Sequence, residues 1–318
     1  MTRRLAVGAF LACALALTTA CGLPTVPEEP ATSSRVTASS EPTSTTSSPT
    51  RTKTTAARPK KPKPSTTSSA PTKRTPRTQK GEDPDSSFSA LASTRGGRLG
   101  IAWTDLGGRG TVHQAGTWSS GPAWSTMKVP VAIAVLRQGG PANDQMRAAI
   151  TRSDNAAAMA LWGQLGAPRQ AGTKSQQVLA RAGDGTTTVQ ATVTRAGFSP
   201  FGQTNWALTS QARFMAGVAC QSDAAPVLTL MGQIAPDQRW GLGRVPGVVA
   251  FKGGWGPGPD GRYLVRQMGL IRTPKGGQVA IAIASVPASG SFDGGIADLN
   301  AIADWISSRD DLGGARSC

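Results

Sequence analysis

Histidine and glutamate are scarce in this sequence. His113 is the single histidine, and no glutamate follows Glu82. A Ser-His-Asp triad would need His113, and no serine lies in a Gly-x-Ser-x-Gly elbow, so we assign His113 a structural role. The absence of glutamate after Glu82 excludes chemistry by paired glutamates in that region. With no HExxH segment and no cysteine cluster, the sequence also predicts no metal site.

Nucleotide-binding motifs are also missing. The chain has no Gly-x-x-x-x-Gly-Lys-Ser/Thr loop, and its glycine-rich run GGWGPGPDG at 253–261 lacks the strand-then-helix setting of a dinucleotide site. We therefore expect no cofactor. The net charge of +16 is not accompanied by a nucleic-acid-binding motif, so we expect no nucleic acid partner.

Residues 22–85 contain no aromatic residue and are dense in Ser, Thr, Pro, Lys and Arg. Such a segment cannot bury enough apolar surface to offset the entropy lost on ordering, so we predict a disordered tether. Between Arg51 and Lys80 it carries ten basic residues and no acidic one. We interpret this run as a solvated linker, and contact with anionic wall polymers or lipid head groups is the alternative.

The N-terminal residues have the pattern of an export signal. Arg3 and Arg4 precede an uncharged apolar run, Leu5–Leu17, which is shorter than the roughly 20 residues that a membrane-spanning helix needs. Small residues and then Cys21 follow, and this arrangement resembles the lipobox of bacterial lipoproteins. We predict that residues 1–21 are a lipoprotein signal peptide and that lipidated Cys21 anchors the protein outside the cell membrane. A plain cleaved signal peptide is the alternative.

The use of cysteine agrees with export. Cys13 would leave with the signal peptide and Cys21 would carry the lipid, so Cys220 and Cys318 remain as one pair in an oxidising compartment. We predict a disulfide between Cys220 and Cys318. Two free buried thiols are the alternative.

Residues 86–318 have the length of one folded domain. Apolar runs bounded by turn residues predict strands at 99–106, 111–116, 263–271 and 278–286. Apolar residues at helical spacing predict helices at 88–93, from Ser125 onward, from about 142 to 165, at 175–183, at 210–219 and at 296–306. Strands on both sides of a helical block indicate an α+β fold in which the two groups of strands share one antiparallel sheet.

Three short motifs occur in order along this domain. Ser125 and Lys128 are spaced so that a helix would place their hydroxyl and amine on one face. A Ser-Asp-Asn tripeptide follows at 153–155 in the helical block, and Lys-Gly-Gly follows at 252–254 on a later strand. Each motif alone has a structural alternative: the start of a buried helix, a helix cap and a surface lysine in a turn.

Together, the three motifs resemble the S-x-x-K, S-D-N and K-T-G set of class A β-lactamases and penicillin-binding proteins. The resemblance covers roughly residues 90–310. It implies an antiparallel sheet flanked by helices, with an all-helical subdomain. It also implies a serine hydrolase that works through an acyl-enzyme.

The resemblance assigns a role to each motif residue. Ser125 would be the nucleophile, Lys128 its base, and Lys252 a second cation that favours loss of the Lys128 proton. Ser153 would relay a proton to the leaving nitrogen, and Asn155 would hold the substrate amide. The backbone N–H groups of Ser125 and of Trp255, which follows Gly254, would form the oxyanion hole.

The sequence departs from the family at two places that affect turnover and recognition. Class A enzymes hydrolyse the acyl-enzyme with an omega-loop glutamate. The corresponding stretch here, about 183–205, has Asp184 as its only carboxylate, and we assign Asp184 no catalytic role because its position does not match. Gly253 stands where the family has a threonine whose hydroxyl contacts the substrate carboxylate, which weakens the expected recognition of a penicillin carboxylate.

We therefore predict an exported, membrane-anchored and monomeric serine hydrolase that is acylated at Ser125. Its substrate would be an amide or ester such as a β-lactam or a peptidoglycan peptide, and it would be weak as a β-lactamase. The alternative is a catalytically weak or inactive module of the same fold that binds cell-wall fragments or a partner.

Overall fold

The computed structural model describes residues 84–108, 110–314 and 318. The predicted signal peptide, the lipidation site Cys21 and the tether up to residue 83 lie outside these residues. The first helix begins at Pro84, two residues before the predicted start of the domain.

The described strands form a five-stranded sheet and a two-stranded sheet. They are β1 (Arg98–Asp105), β2 (His113–Gly116), β3 (Ser120–Pro122), β4 (Asn205–Ala207), β5 (Val248–Pro257), β6 (Tyr263–Arg272) and β7 (Gln278–Val286). The large sheet has the order β2-β1-β7-β6-β5 with antiparallel neighbours, and β3 pairs with β4. The prediction that the first and last groups of strands share one antiparallel sheet is confirmed.

Helices cover both faces of the large sheet. Those in the described residues are α1 (Pro84–Arg95), α2 (Lys128–Arg137), α3 (Asp144–Thr151), α4 (Asn155–Gln164), α5 (Pro168–Arg181), α6 (Leu208–Val218), α7 (Ala225–Met231) and α8 (Phe292–Ser307). The helical block predicted as continuous over 142–165 is two helices, α3 and α4. The prediction missed α7, because seven residues are too few to show a helical period.

Strand β7 shows how the sheet separates two hydrophobic cores. Val279, Ile281 and Ile283 face the core formed with α1 and α8, whereas Ala280 and Ala282 face the core formed with α2 and α6. Side chains alternate between the two faces of a strand. In β7 the larger valine and isoleucine side chains lie on one face and the small alanine side chains on the other. The small alanine side chains let α6 pack closely on the sheet, so both faces of the sheet are buried.

Helices α2 and α6 form the centre of the helical side of the domain. Residues from Lys128 to Val135 are all buried in α2, and Leu208 and Phe214 are among the buried residues of α6. No single helix of the described residues is long and apolar enough to cross a membrane. Helix α6 and the segment Ser222–Met231, which meet at a bend of 103°, together reach the length and apolar composition of a membrane-spanning segment. Burial inside the domain accounts for their apolar composition.

The structure contains the predicted disulfide between Cys220 and Cys318, whose Cα atoms are 5.2 Å apart. Cys220 lies just beyond Val218, where α6 ends. The bond therefore ties the C-terminal residue to the helical core across a sequence separation of 98 residues.

Replacing Cys220 and Cys318 by serine is expected to lower the free energy of unfolding by about 2–4 kcal/mol, because the bond restricts the unfolded chain over a long loop. Urea unfolding of the oxidised wild type and of the double variant measures the difference. Reduced wild-type protein should unfold at the midpoint of the variant. Equal midpoints for the oxidised and reduced wild type would contradict the prediction.

Candidate active site

Ser125 lies in a short 3-10 helix, Trp124–Met127, and α2 begins directly after it at Lys128. The predicted helix start is therefore in the right place, but its first turn is tighter than an α-helix. Trp124 has a φ of +50°, in the left-handed region that bulky residues rarely adopt. Such a conformation persists only where the surrounding structure imposes it, and it is frequent at functional sites.

The Ser-Asp-Asn tripeptide occupies the break between α3 and α4. Ser153 has a φ of +60°, which ends the helical path after Thr151. Asp154 is the N-cap of α4, and its side chain accepts a hydrogen bond from Ala157 N at 2.7 Å. The helix-cap alternative is therefore correct for Asp154. The cap leaves Ser153 and Asn155 free to contact the two lysines.

Lys128 is 1 % exposed and directs its amine at the tripeptide. Its Nζ donates to Ser153 O at 2.5 Å, to Asn155 Oδ1 at 2.8 Å and to Asp154 O at 3.2 Å. Within the described part of the chain, no hydrogen bond joins Lys128 Nζ to Ser125 Oγ. The structure therefore brings Lys128 together with Ser153 and Asn155, and proton transfer from Ser125 requires Lys128 to release one of these acceptors.

Lys252 lies in β5 and is 0 % exposed. Its Nζ donates to Ser153 Oγ at 2.8 Å and to Gly253 O at 2.9 Å. The alternative of a surface lysine in a turn is therefore wrong. Ser153 contacts both lysines, through its hydroxyl and through its carbonyl oxygen.

Burial makes both lysines easier to deprotonate. Desolvation lowers the pKa of Lys128 to about 8, and the Asp154 carboxylate partly opposes this effect. Desolvation lowers the pKa of Lys252 well below its ordinary value, and the charge of Lys128 lowers it further. Because two neighbouring buried cations disfavour each other, the pair loses its first proton more readily than an exposed lysine does. The site thus holds an amine that can accept a proton near neutral pH.

The rate of Ser125 acylation is expected to rise with pH through about 8, since the Lys128 amine can accept a proton only after losing its own. The lowered pKa places this rise below 10.5, the ordinary value for lysine. Intact-mass time courses with an activated ester at a series of pH values measure the rate, with the Ser125→Ala protein as the background. A rate that falls through this range would contradict the role of Lys128 as a base.

Gly254 approaches Ser125 from β5, which is an edge strand of the sheet. A Cβ atom on Gly254 would lie 2.8 Å from Ser125 N, 2.9 Å from Thr126 N and 3.0 Å from Ala123 O. Only glycine allows the two backbone segments to approach so closely. Strand β5 therefore lies directly against the backbone at Ser125, and the oxyanion hole formed with Trp255 N stays a prediction.

The sequence analysis missed Arg266, a fully buried arginine of β6 that supports the turn at Trp124–Met127. Gln211 Nε2 donates to Thr126 Oγ1 at 2.8 Å, and the Gln211 Oε1 atom accepts from Arg266 Nη2 at 2.5 Å. Arg266 also donates at 2.9 Å to three carbonyl oxygens, those of Gly121, Pro122 and Trp206. Burial lowers the pKa of Arg266 to about 9. The available signal was an arginine inside the apolar run YLVRQMGLI.

The stretch that corresponds to the omega loop uses Asp184 for its own structure. Asp184 is 2 % exposed, and its Oδ2 accepts from Trp206 Nε1 at 2.8 Å. Its Oδ1 accepts from Thr186 N and Thr187 N. Asp184 is not among the described residues that line the cleft at Ser125, which agrees with assigning it no catalytic role.

Ser125, Ser153 and Asn155 line one cleft of about 620 Å³. Most of the remaining wall is apolar or aromatic and includes Trp124, Phe198, Pro200, Trp255, Pro257 and Tyr263. The first two motifs supply residues that line this cleft. The third motif is linked to it through Lys252, which contacts Ser153 Oγ, and Lys128 contacts Asn155 Oδ1.

His113 is not among the described residues of this cleft, and its ring stacks on Trp103 at a centroid distance of 5.2 Å. Within the ranges that the structure describes, no group of three or more His, Cys, Asp or Glu side chains is placed to hold a metal ion.

Comparison with known proteins gives matches in structure only. No protein-family model matches the sequence, and no curated protein matches it either. The class A β-lactamase from Mycobacterium abscessus is 16% identical, with a TM-score of 0.55 over 70% of this chain and 98% of that one. The β-lactamase from Streptosporangium roseum is 16% identical, with a TM-score of 0.54 over 71% of this chain and 98% of that one. The TLA-3 extended-spectrum β-lactamase is 15% identical, with a TM-score of 0.54 over 70% and 98%.

These matches span nearly the whole length of the solved proteins, and their low identity means that they report on the fold. The mixed helical and antiparallel architecture predicted from the three motifs is confirmed. This chain has the fold of the class A β-lactamases.

Proposed function

We propose that the protein is a serine hydrolase that forms an acyl-enzyme at Ser125 with an amide or ester, such as a β-lactam or a peptidoglycan peptide. One arrangement carries the proposal. Lys252 Nζ donates to Ser153 Oγ at 2.8 Å and Lys128 Nζ donates to Ser153 O at 2.5 Å, on the floor of the cleft that Ser125 lines. Amines with lowered pKa values at the cleft that Ser125 lines support activation of a serine nucleophile without histidine.

Acylation would involve two proton transfers, one from the Ser125 hydroxyl and one to the leaving atom of the substrate. The Ser125 hydroxyl gives its proton to the neutral Lys128 amine as Oγ bonds to the substrate carbonyl carbon. Backbone N–H groups of Ser125 and Trp255 stabilise the oxyanion that develops. This step uses the form of the lysine pair in which Lys128 is neutral and Lys252 holds the remaining proton. When the C–N or C–O bond breaks, the leaving atom takes the proton of Ser153 Oγ, and the Lys252 ammonium, which contacts the same oxygen, replaces that proton.

Deacylation is expected to be slow. No glutamate follows Glu82 in the sequence, and Asp184, the carboxylate of the omega-loop stretch, is engaged by Trp206 and by backbone N–H groups. An attacking water would then lack the positioned base that general base catalysis uses. The proposal therefore describes an enzyme that is weak as a β-lactamase.

The second candidate is a module of the same fold that binds cell-wall fragments or a partner without turnover. The observation that favours it is the same missing deacylation base. In either case we propose that lipidated Cys21 anchors the domain outside the cell membrane. The basic run between Arg51 and Lys80 would be a solvated linker, and contact with wall polyanions or lipid head groups is the alternative.

Intact-mass spectrometry of the purified full-length protein tests the proposal. The protein is incubated separately with p-nitrophenyl acetate and with a fluorescent penicillin, beside Ser125→Ala and the control Ser222→Ala, which changes an exposed serine away from the cleft. We expect a lasting adduct that maps to Ser125, is lost in Ser125→Ala and is retained in Ser222→Ala.

The other outcomes discriminate between the candidates. Rapid turnover that depends on Ser125 and leaves no adduct would keep the acyl-enzyme but overturn slow deacylation. No adduct and no turnover that depends on Ser125, with either reagent, would overturn the hydrolase and favour the binding module.

A further inference from the structure

Arg195 places a cation against the wall of the cleft, in the stretch that corresponds to the omega loop. Its guanidinium lies 4.6 Å from the centroid of the Phe198 ring, and its Nη1 donates to Pro257 O at 2.7 Å. Phe198 and Pro257 both line the cleft at Ser125. The aromatic ring and the carbonyl oxygen therefore hold the guanidinium beside the space that a substrate would occupy.

Most of the hydrogen-bonding capacity of the Arg195 guanidinium is unused. A guanidinium has five N–H donors, and among the described residues this one donates only to Pro257 O. None of the salt bridges in the described part of the chain includes Arg195. The residue is half-buried, yet none of its nitrogen atoms is among the fully buried ones that lack a partner. The remaining N–H groups therefore reach solvent, where a ligand can contact them.

The carboxylates that flank these segments in the sequence have other partners. Asp260, the first carboxylate after Pro257, accepts a hydrogen bond from Arg262 N at 3.1 Å within its own turn. Asp184, the first carboxylate before Arg195, accepts from Trp206 Nε1 at 2.8 Å. A guanidinium pairs best with a planar anion that accepts two parallel N–H bonds. The unpaired cation at the cleft therefore fits a carboxylate of a ligand.

The loop that carries Arg195 is held in shape by the amide of Gln203. The Gln203 Oε1 atom accepts from Thr194 N at 3.2 Å, from Thr194 Oγ1 at 2.6 Å and from Arg195 N at 2.6 Å. Its Nε2 donates to the carbonyl oxygens of Arg195, Phe198 and Ser199 at 3.2–3.4 Å. One side chain thus joins both ends of the loop. The cation is preorganised, which reduces the ordering cost of binding.

The wall of the cleft next to this cation is apolar. Val193, from the same loop, is an exposed large apolar residue, and it lines the cleft with Phe198, Pro257 and Tyr263. An apolar segment of a ligand would gain contact with these side chains. The wall and the guanidinium together suit a ligand in which an apolar spacer ends in an anionic group.

The position of Arg195 along β5 indicates which part of a substrate it would meet. Ser153, which would protonate the leaving atom, contacts Lys252, so the leaving group lies at that end of the cleft. Trp255 N would bind the oxyanion, and Pro257 follows two residues later, about 7 Å further along the strand. The acyl part of the substrate therefore extends towards Pro257 and the guanidinium.

We propose that Arg195 recognises a carboxylate on the acyl part of the substrate, separated from the scissile bond by an apolar spacer. This inference rests on the acyl-enzyme proposed above and narrows its substrate class. β-Lactams and peptidoglycan peptides whose acyl part carries an acidic group belong to this class. Arg195 determines specificity and takes no part in the proton transfers.

Two p-nitrophenyl esters of the same shape test the inference. One is p-nitrophenyl 3-(4-carboxyphenyl)propanoate, whose acyl part ends in a carboxylate, and the other has a carboxamide in its place. They share the leaving group, and the rigid ring prevents the carboxylate from attacking its own ester. Intact mass gives the rate of adduct formation at Ser125 of the full-length protein. We expect the carboxylate ester to react about fivefold to tenfold faster, the scale of a charge-assisted pair at a partly exposed site.

Arginine variants separate a specific pair from general attraction by the chain, whose net charge is +16. In Arg195→Gln the ratio of the two rates should fall to about one, and in Arg195→Glu it should fall below one, because like charges repel. In the matched control Arg169→Gln, which removes an exposed arginine of α5, the ratio should keep its wild-type value. p-Nitrophenyl acetate reports which variants still acylate, and each Arg195 variant that does so decides the question.

The outcomes distinguish this inference from the proposed function. No Ser125 adduct from p-nitrophenyl acetate on the wild type would overturn the acyl-enzyme itself. An adduct from acetate combined with a wild-type ratio of one or less, or with reaction of neither longer ester, would overturn the substrate class alone. A ratio that persists unchanged in Arg195→Gln or Arg195→Glu would assign the preference to net charge and overturn recognition by Arg195.

Discussion

Gly254→Ala is expected to slow acylation of Ser125 by p-nitrophenyl acetate about 100-fold or more, the scale on which the loss of oxyanion-hole donors acts. The added Cβ atom would lie 2.8 Å from Ser125 N and 2.9 Å from Thr126 N. Both are backbone atoms that cannot rotate away, so the turn at Trp124–Met127 has to move relative to β5. The donors proposed for the oxyanion hole would then no longer point at one oxygen. Time-resolved intact mass gives the rate constant.

Gly163→Ala is the matched control. Gly163 lies in α4, and a Cβ atom there would meet nothing within 4 Å. Its acylation rate should equal that of the wild type, and alanine in a helix should stabilise the fold by up to about 1 kcal/mol. A Gly254→Ala protein that is folded by circular dichroism and acylates at the wild-type rate would contradict the close approach of β5 to the turn.

Lys252→Met is expected to lower the acylation rate by about 1000-fold near pH 8, within the range that acid–base groups contribute, without lowering the melting temperature. The variant removes the amine that contacts Ser153 Oγ. It also removes a fully buried amine that has no salt bridge among the described residues. Methionine is unbranched and adaptable, so it can fill the same space. Replacing a buried ionisable side chain by an apolar one of similar volume is often neutral or stabilising.

Lys275→Met provides the control, because Lys275 is exposed in the turn between β6 and β7. It should leave both the acylation rate and the melting temperature unchanged. Scanning calorimetry and the mass time course are run on both variants. If Lys252→Met melts far below the wild type, Lys252 is a structural residue. If it acylates at the wild-type rate, the proton relay through Ser153 does not operate.

The candidate site shows how far local sequence patterns reach. The spacing of Ser125 and Lys128 predicts neighbours at a helix start, and the structure places Ser125 in a 3-10 turn and Lys128 at the first residue of α2. The Ser-Asp-Asn tripeptide was expected inside a continuous helix, yet Ser153 adopts a positive φ and Asp154 caps a new helix. The helical spacing of apolar residues continues from α3 into α4. The spacing therefore could not reveal the break between these two helices.

The sequence by itself determined the features that depend on local periodicity and on elimination. The apolar runs of β1, β6 and β7 predict strands because they are short and bounded by turn residues. The order of the three motifs predicts the fold, which is confirmed. The pairing of Cys220 with Cys318 is predicted because Cys13 and Cys21 fall in the predicted signal peptide, which leaves no other pair, and the disulfide is present.

Only the tertiary structure decided which polar groups are buried and what they contact. The sequence is equally compatible with Lys252 as a surface lysine. Lys252 is buried because β5 packs against the break between α3 and α4 at Ser153, which is 99 residues away along the chain. The contact of Arg266 with Gln211, 55 residues distant, and the indole rings beside Gly253 arise in the same way. Hydrogen bonds and desolvation depend on distances between segments far apart in sequence, and these distances exist only once the chain has folded.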